Sequence, residues 1–284
     1  MKTFYILFLI MMVICLNVFS QGTDFRFSQK KYFVGFSCIP GQTSFIYKQV
    51  PVTGFSNTGG AININLNVES GYNFNKYLGI SCGIGFANFL SSMNVPFCQS
   101  NYPSVDTENE SYELRVIARN LKEEQKIDFT SISLNIYFHY PFSDHFGMYG
   151  QAGLEPSFPV MKTYRSEATI DYNGYYPQYN VTLYDLPEYG FPYHVNTIQK
   201  GSLPVKTFVM RGVISAGFFY KLSRDMEIMS GVHYGKTMQT VSEIKATRYN
   251  ISSHMGEINS LMSAGESLTL SSLGIYLNLR YYFK

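Results

Sequence analysis

Hydrophobic positions in this chain recur at every second residue, in a series of short blocks. Ile62, Ile64, Leu66 and Val68 alternate with Asn63, Asn65, Asn67 and Glu69. Leu78, Ile80, Cys82, Ile84 and Phe86 alternate with Gly79, Ser81, Gly83, Gly85 and Ala87. Ile132, Leu134, Ile136, Phe138 and Tyr140 alternate with Ser131, Ser133, Asn135, Tyr137 and His139. The last block puts Leu273, Ile275, Leu277, Leu279, Tyr281 and Phe283 on one face, and Gly274, Tyr276, Asn278, Arg280, Tyr282 and Lys284 on the other. A two-residue period is that of a β-strand with unlike faces. Asn is a poor helix former, and an Asn row suits no soluble core.

Further strands are expected from Lys31 to Cys38, from Met148 to Glu155, from Phe208 to Phe218 and from Glu227 to Tyr234, which makes eight. Tight turns are expected at Asn73–Lys76, Pro141–Asp144 and Leu222–Asp225. Long segments are expected at 39–58, 91–125, 161–205 and 240–265. Within the second of these, Tyr112 to Asn120 reads as either a short amphipathic helix or a hairpin arm. The connections thus alternate long and short. That is the order of a barrel with periplasmic turns, extracellular loops and an even strand count. The expected fold class is all-β: an eight-stranded antiparallel up-and-down transmembrane β-barrel with long extracellular loops. Small residues along one face suit a narrow lumen crowded by bulky neighbours.

Composition sharpens this reading. Charged residues are 15% of the chain and aromatics 17%, with 24 Tyr, 23 Phe and no Trp. Tyr and Phe in such excess fit aromatic girdles at two membrane interfaces. A net charge of +2 with no basic stripe argues against a nucleic-acid partner. Lys2, the apolar run Phe4–Phe19 and Val18-Phe19-Ser20 read as an export signal cut before Gln21. The domains are then a signal peptide at 1–20 and an outer-membrane barrel at 21–284. Cys38, Cys82 and Cys98 would remain, an odd number that no fully paired disulfide framework allows.

The signal, the Asn/Gly-rich strands and the ending Leu277-Asn278-Leu279-Arg280-Tyr281-Tyr282-Phe283-Lys284 resemble the outer-membrane β-barrel proteins of Bacteroidetes, the PorT-like group. In size the chain resembles the OmpA-, OmpX- and OmpW-type barrels. The resemblance implies fold and an outer-membrane location, and no particular activity.

Candidate chemistry lies on the inward faces and in the loops. Counting up from the turns sets Glu155 beside Arg211 and Glu227 beside Arg280, with Glu69 at a similar low height. An unpaired charge in a narrow interior costs several kcal/mol, so opposite charges are expected to meet. These five residues read as a structural charge network, with a proton- or ion-sensitive gate as the sharper alternative. His139 and His233 also point inward, at a spacing that matches no metal-ligand motif, and read as polar lumen packing. No catalytic residue, metal site or cofactor is expected. His194 and His254, with Ser and Asp nearby in sequence, are the residues a lipid-modifying enzyme would use. The third long segment carries Tyr164, Tyr172, Tyr175, Tyr176, Tyr179, Tyr184, Tyr189 and Tyr193. Tyr offers a rigid ring with a polar tip, which suits glycan or protein recognition.

The expected function is a structural or surface-interaction barrel with a side-chain-filled lumen. Its partners would be outer-membrane lipid and lipopolysaccharide, and an envelope protein or glycan. The alternatives are transport, as an OmpW-like conduit for small apolar molecules or a secretion-pathway component, and a lipid-modifying enzyme.

Overall fold

The computed structural model describes residues 31–48, 56–60, 62–243, 251–264 and 267–283. The expected leader and the stretch 49–55 lie outside the described residues.

The described residues form eleven strands. These are β1 (Tyr32–Lys48), β2 (Ser56–Gly60), β3 (Ile62–Asn73), β4 (Leu78–Val105), β5 (Ser111–Pro141) and β6 (Phe146–Tyr176). They continue as β7 (Val181–Leu183), β8 (Val195–Ser202), β9 (Val209–Lys221), β10 (Met226–Thr237) and β11 (Ser267–Phe283). Eight of them close a ring in the order β1, β3, β4, β5, β6, β9, β10 and β11, and β11 pairs back onto β1. Every pairing is antiparallel. A closed ring leaves no strand edge, the one arrangement in which a sheet can cross a bilayer.

The three short turns of the ring share one construction. Asn75, Ser143 and Ser223 occupy the same place in each. The Asn75 carboxamide oxygen accepts from the amides of Tyr77 (2.7 Å) and Leu78 (2.9 Å). The Ser143 hydroxyl accepts from His145 and Phe146, and that of Ser223 from Asp225 and Met226. Such side chains stand in for backbone partners and so make a reversal compact.

In the lower ring the alternation expected from the sequence holds. Ile80, Ile84, Ile132, Leu134, Ile136, Ile214, Val232 and Ile275 are exposed, while Ser81, Ser131, Ser133, Asn135, Ser215 and Asn278 are buried. On β5 the outward apolar row runs from Tyr140 to Ile132 and gives way to Thr130, ten residues from Tyr140. Ten residues rise about 34 Å, or about 24 Å at a tilt near 45°, the height of a barrel's apolar band. Tyr32, Tyr72, Phe74, Tyr77, Phe138, Tyr140 and Phe142 crowd the short-turn rim in contacting pairs. Cys38, Cys82 and Cys98 are free thiols, and Cys82 lies on the outward face.

The long segments differ from expectation. β1 continues to Lys48, and much of the stretch read as loop from 39 to 58 is strand. The segment 91–125 is a hairpin of β4 and β5, which makes Tyr112–Asn120 an arm and not a helix. The segment 161–205 continues β6 and adds β7 and β8 along it. These extensions have reversed faces. Lys122, Glu124, Arg165 and Glu167 point outward, while Met93, Val95, Val116, Ala118, Leu121, Ala168 and Ile170 are buried. Water replaces lipid there, so the apolar side turns in.

Candidate functional site

Two places hold the residues singled out by the sequence: the lumen of the ring and the sheet above it. From the short-turn end, the lumen fills layer by layer. Glu227 accepts from the Tyr282 hydroxyl (3.1 Å) and lies 3.7 Å from His139 Nε2. One layer up, Arg280 Nε and Nη2 both donate to Glu69 Oε1, at 3.1 and 3.0 Å. Asn278 donates to the same oxygen (2.9 Å) and Ser81 to Oε2 (2.8 Å). The Arg280 guanidinium lies over the rings of Phe33 and Tyr137, 4.3 and 4.6 Å from their centroids. Tyr149 and Tyr276 fill the next layer, and His233 Nδ1 meets the Ser215 hydroxyl at 3.0 Å. At the top Arg211 Nη1 lies 3.0 Å from Glu155 Oε2, and Nη2 donates to Ser272. Phe89, Phe129 and Val209 follow above as an apolar layer.

One expected pairing needs correction. Glu227 and Arg280 are register partners, but the ion pair of Arg280 goes to Glu69. The reason is Gly35. It stands between them on β1, opposite Arg280 on one side and Glu69 on the other. A Cβ on Gly35 would come within 3.1 Å of Glu69 Cγ and 3.3 Å of Arg280 Cγ. Without one, the two side chains meet across the intervening strand, while Glu227 meets the Tyr282 hydroxyl and lies near His139, with Lys221 as its register partner on β9. Glu155 and Arg211 do sit together, as register partners on neighbouring strands.

Above the ring, segment 251–264 folds back over the apolar inner face of β4, β5 and β6. Ile251, Ile258, Leu261 and Met262 are all buried there. Its anchor is Glu123, a fully buried carboxylate that the sequence reading missed. Its oxygens accept from Gln125 Nε2 (2.6 Å), Ser166 Oγ (2.7 Å), Ser260 Oγ (2.7 Å) and the Leu261 amide (2.8 Å). Burial pushes this carboxyl above its ordinary range, although the four donors pull the other way. The available signal was Glu123 and Gln125 on the same parity as Leu121 and Ile127, a polar pair within an apolar row. A second anchor is Ile251, whose amide donates to Ser100 (2.9 Å) and whose carbonyl accepts from Tyr102.

The tyrosines divide into two groups. Tyr172 and Tyr176 are buried on the inward parity of β6, and Tyr164 packs against the apolar layer beneath. Tyr179, Tyr184, Tyr189 and Tyr193 are exposed, between 42% and 70%. Tyr175 lies under the Arg115 guanidinium at 3.9 Å. His194 stacks on Tyr193, and its Nδ1 and backbone amide both meet Asp171 Oδ1 at 2.9 Å. Arg119 Nε reaches Asp171 Oδ2 at 2.9 Å. Burial raises the Asp171 carboxyl, but the Arg119 and His194 bonds outweigh it, and the group sits below the ordinary aspartate range. His194 therefore has a carboxylate as its partner, and a serine hydroxyl takes no part in that contact.

Residues 7–252 match the sequence profile of the outer membrane protein beta-barrel domain. The chain belongs to that family. The closed ring and apolar band agree with it, and together they place the protein in the outer membrane. Solved structures with a similar fold include OprG from Pseudomonas aeruginosa, 12% identical over 92% of this chain and 99% of that one, with a TM-score of 0.43. Neisserial surface protein A is 9% identical over 89% and 97%, with a TM-score of 0.38. Ail of Yersinia pestis is 10% identical over 89% and 99%, with a TM-score of 0.33. No curated protein matches the sequence.

Proposed function

We propose that this protein is a surface-interaction barrel: a sealed ring that anchors an extracellular β-sheet able to meet a partner. The observation that carries the reading is the sheet itself. β4, β5 and β6 run far beyond the apolar band, and segment 251–264 gives them a core of their own. A loop needed only to join strands could be short; this one is a folded unit with exposed tyrosines at its tip. The layered lumen supports an anchor over a general pore, because an eight-stranded ring is just wide enough for its side chains. Lipopolysaccharide would surround the sheet, and an envelope protein or a glycan would be the partner. The same reading has the chain exported by a leader cut before Gln21, within the PorT-like Bacteroidetes barrels that its ending resembles.

The test replaces Ser104–Ser111 and Tyr176–Tyr193 by short turns. The ring should still fold, seen as a mobility shift on heating before a denaturing gel, while partner capture from native outer membrane is lost. Undiminished capture, or a sizeable discrete conductance in planar bilayers, would overturn the proposal.

A further inference from the structure

The outermost point of the sheet is a groove of about 820 Å³, where the β4–β5 turn faces the segment after β6. Asp106, Glu108, Glu110 and Glu188 line it, with no Lys, Arg or His among the lining residues. The whole chain carries a net charge of +2, so this concentration of acid is local. The walls are aromatic. Tyr112 stacks on Tyr176 at 5.3 Å, and Phe191 meets Tyr112 edge-on at 5.7 Å. Tyr179 and Tyr189, 58% and 70% exposed, stand at the rim.

The groove is held in shape from within. Asp106 Oδ1 accepts from the amides of Glu108 and Glu110 (3.0 and 2.9 Å), and Oδ2 from the Tyr176 hydroxyl (3.0 Å). The Tyr179 hydroxyl donates to Glu110 Oε1 at 2.6 Å. The Glu110 amide, first among its donors, holds the Asp106 carboxyl below its ordinary range, so the charge persists into mild acid.

Acid over aromatic walls calls for a cation that is also partly apolar. Among the described residues no three carboxylates, thiols or imidazoles converge closely enough for a metal ion. An organic cation remains, because ammonium and guanidinium groups are attracted to ring faces and to carboxylates together. The same sheet already makes that contact once. Arg115 lies over the Tyr175 ring at 3.9 Å while its Nε meets Glu113 Oε1 at 2.7 Å.

We infer that this groove docks a basic peptide segment, with Arg or Lys side chains laid along the Tyr179 and Tyr189 rings and their charge against Glu108, Glu110 and Glu188. The inference deepens the surface-recognition reading above and rests on it. It narrows the partner to a polypeptide with a cationic stretch and sets aside a neutral glycan.

The experiment uses the full mature barrel in neutral detergent micelles. The probes are a short Gly/Ser peptide carrying several arginines and the same peptide carrying glutamates. The arginine peptide should bind saturably and more weakly as salt rises, and the glutamate peptide should not bind. Glu108→Gln with Glu188→Gln should weaken the arginine peptide by about tenfold, and Tyr179→Ala by about threefold. All three side chains are exposed, and the heating shift verifies that each variant folds. Equal binding of both peptides, or full affinity in the Glu108→Gln/Glu188→Gln variant, would overturn the inference. The turn replacement separates the two readings. If it abolishes capture of the native partner while the double Gln variant captures it fully, recognition by the sheet stands and the cationic assignment falls. If capture survives the replacement, both fall.

Discussion

β5 passes through two solvents, and its two halves answer them oppositely. In the lower half Ile132, Leu134 and Ile136 face outward, while Ser131, Ser133 and Asn135 face the lumen. In the upper half Lys122, Glu124 and Lys126 face outward, while Leu121, Ile127 and Phe129 face in. The strand does not twist over between them; inward residues stay on odd numbers from Leu121 to His139, and only past the register shift at Arg119–Lys122 do the even-numbered Val116 and Ala118 turn in. Only the chemistry on each face is exchanged, at Thr130. The ring is thus an inside-out protein that holds charge in its middle, and the sheet above it is an ordinary one with an oily middle. One buried carboxylate from each region, Glu69 below and Glu123 above, shows two ways of being satisfied. Glu69 is neutralised by a cation, whereas Glu123 is held by neutral hydroxyls and amides.

The largest effect expected from this contrast is in the ring. Arg280→Ala strands Glu69 in a closed interior and should cost about 3–5 kcal/mol. Urea titration of the barrel in lipid vesicles measures it, and a loss under about 1 kcal/mol would show that the lumen admits water freely. Next comes the outward face. Ile136→Arg should cost about 2–4 kcal/mol in the same titration, whereas Glu124→Arg, on the same face of the same strand, should stay within about 0.5 kcal/mol. Equal costs would erase the boundary drawn at Thr130. In the upper sheet, Glu123→Ala leaves two hydroxyls, the Gln125 carboxamide and a backbone amide without their acceptor and should cost about 1–3 kcal/mol. The loss should be local: hydrogen exchange and proteolysis rise across 251–264, and the heating shift of the ring is unchanged. The smallest effect is acid sensitivity at the surface. The Asp171 carboxyl is depressed in the fold. Its contribution is therefore complete above the unfolded value near 3.9 and drains away as pH falls through the lower folded value. Amide exchange at His194 and along β8 should rise only below about pH 4, and Asp171→Asn should remove that dependence.

The lower ring was legible because one rule, apolar outward, governs it, with Ser70 and Ser230 as outward polar exceptions. The three turns were legible from their polar tetrapeptides, and Glu155 with Arg211 from counting upward along adjacent strands. The union of Glu69 with Arg280 was not. Counting compares neighbours, and these two lie two strands apart, joined over a residue with no side chain. The upper sheet was hidden for a different reason. Its period is the same but its sense is reversed, so the polar outward face of 91–125 and 161–176 read as loop. The tyrosines show the same fault. Tyr172 and Tyr176 share the parity of Ala168 and Ile170, which a strand assignment would have turned inward. Tyr179, Tyr184 and Tyr189 lie past Pro177, beyond the strand, and are exposed.

The bare backbone at Gly35 also bears on how the cylinder is sealed. β1 and β11 form the seam between the first and last staves, and Glu69 belongs to the stave behind β1. Its cation arrives only with the final stave. A cylinder arrested one piece short would carry a lone anion facing its own bore, and fastening the seam is the event that removes it.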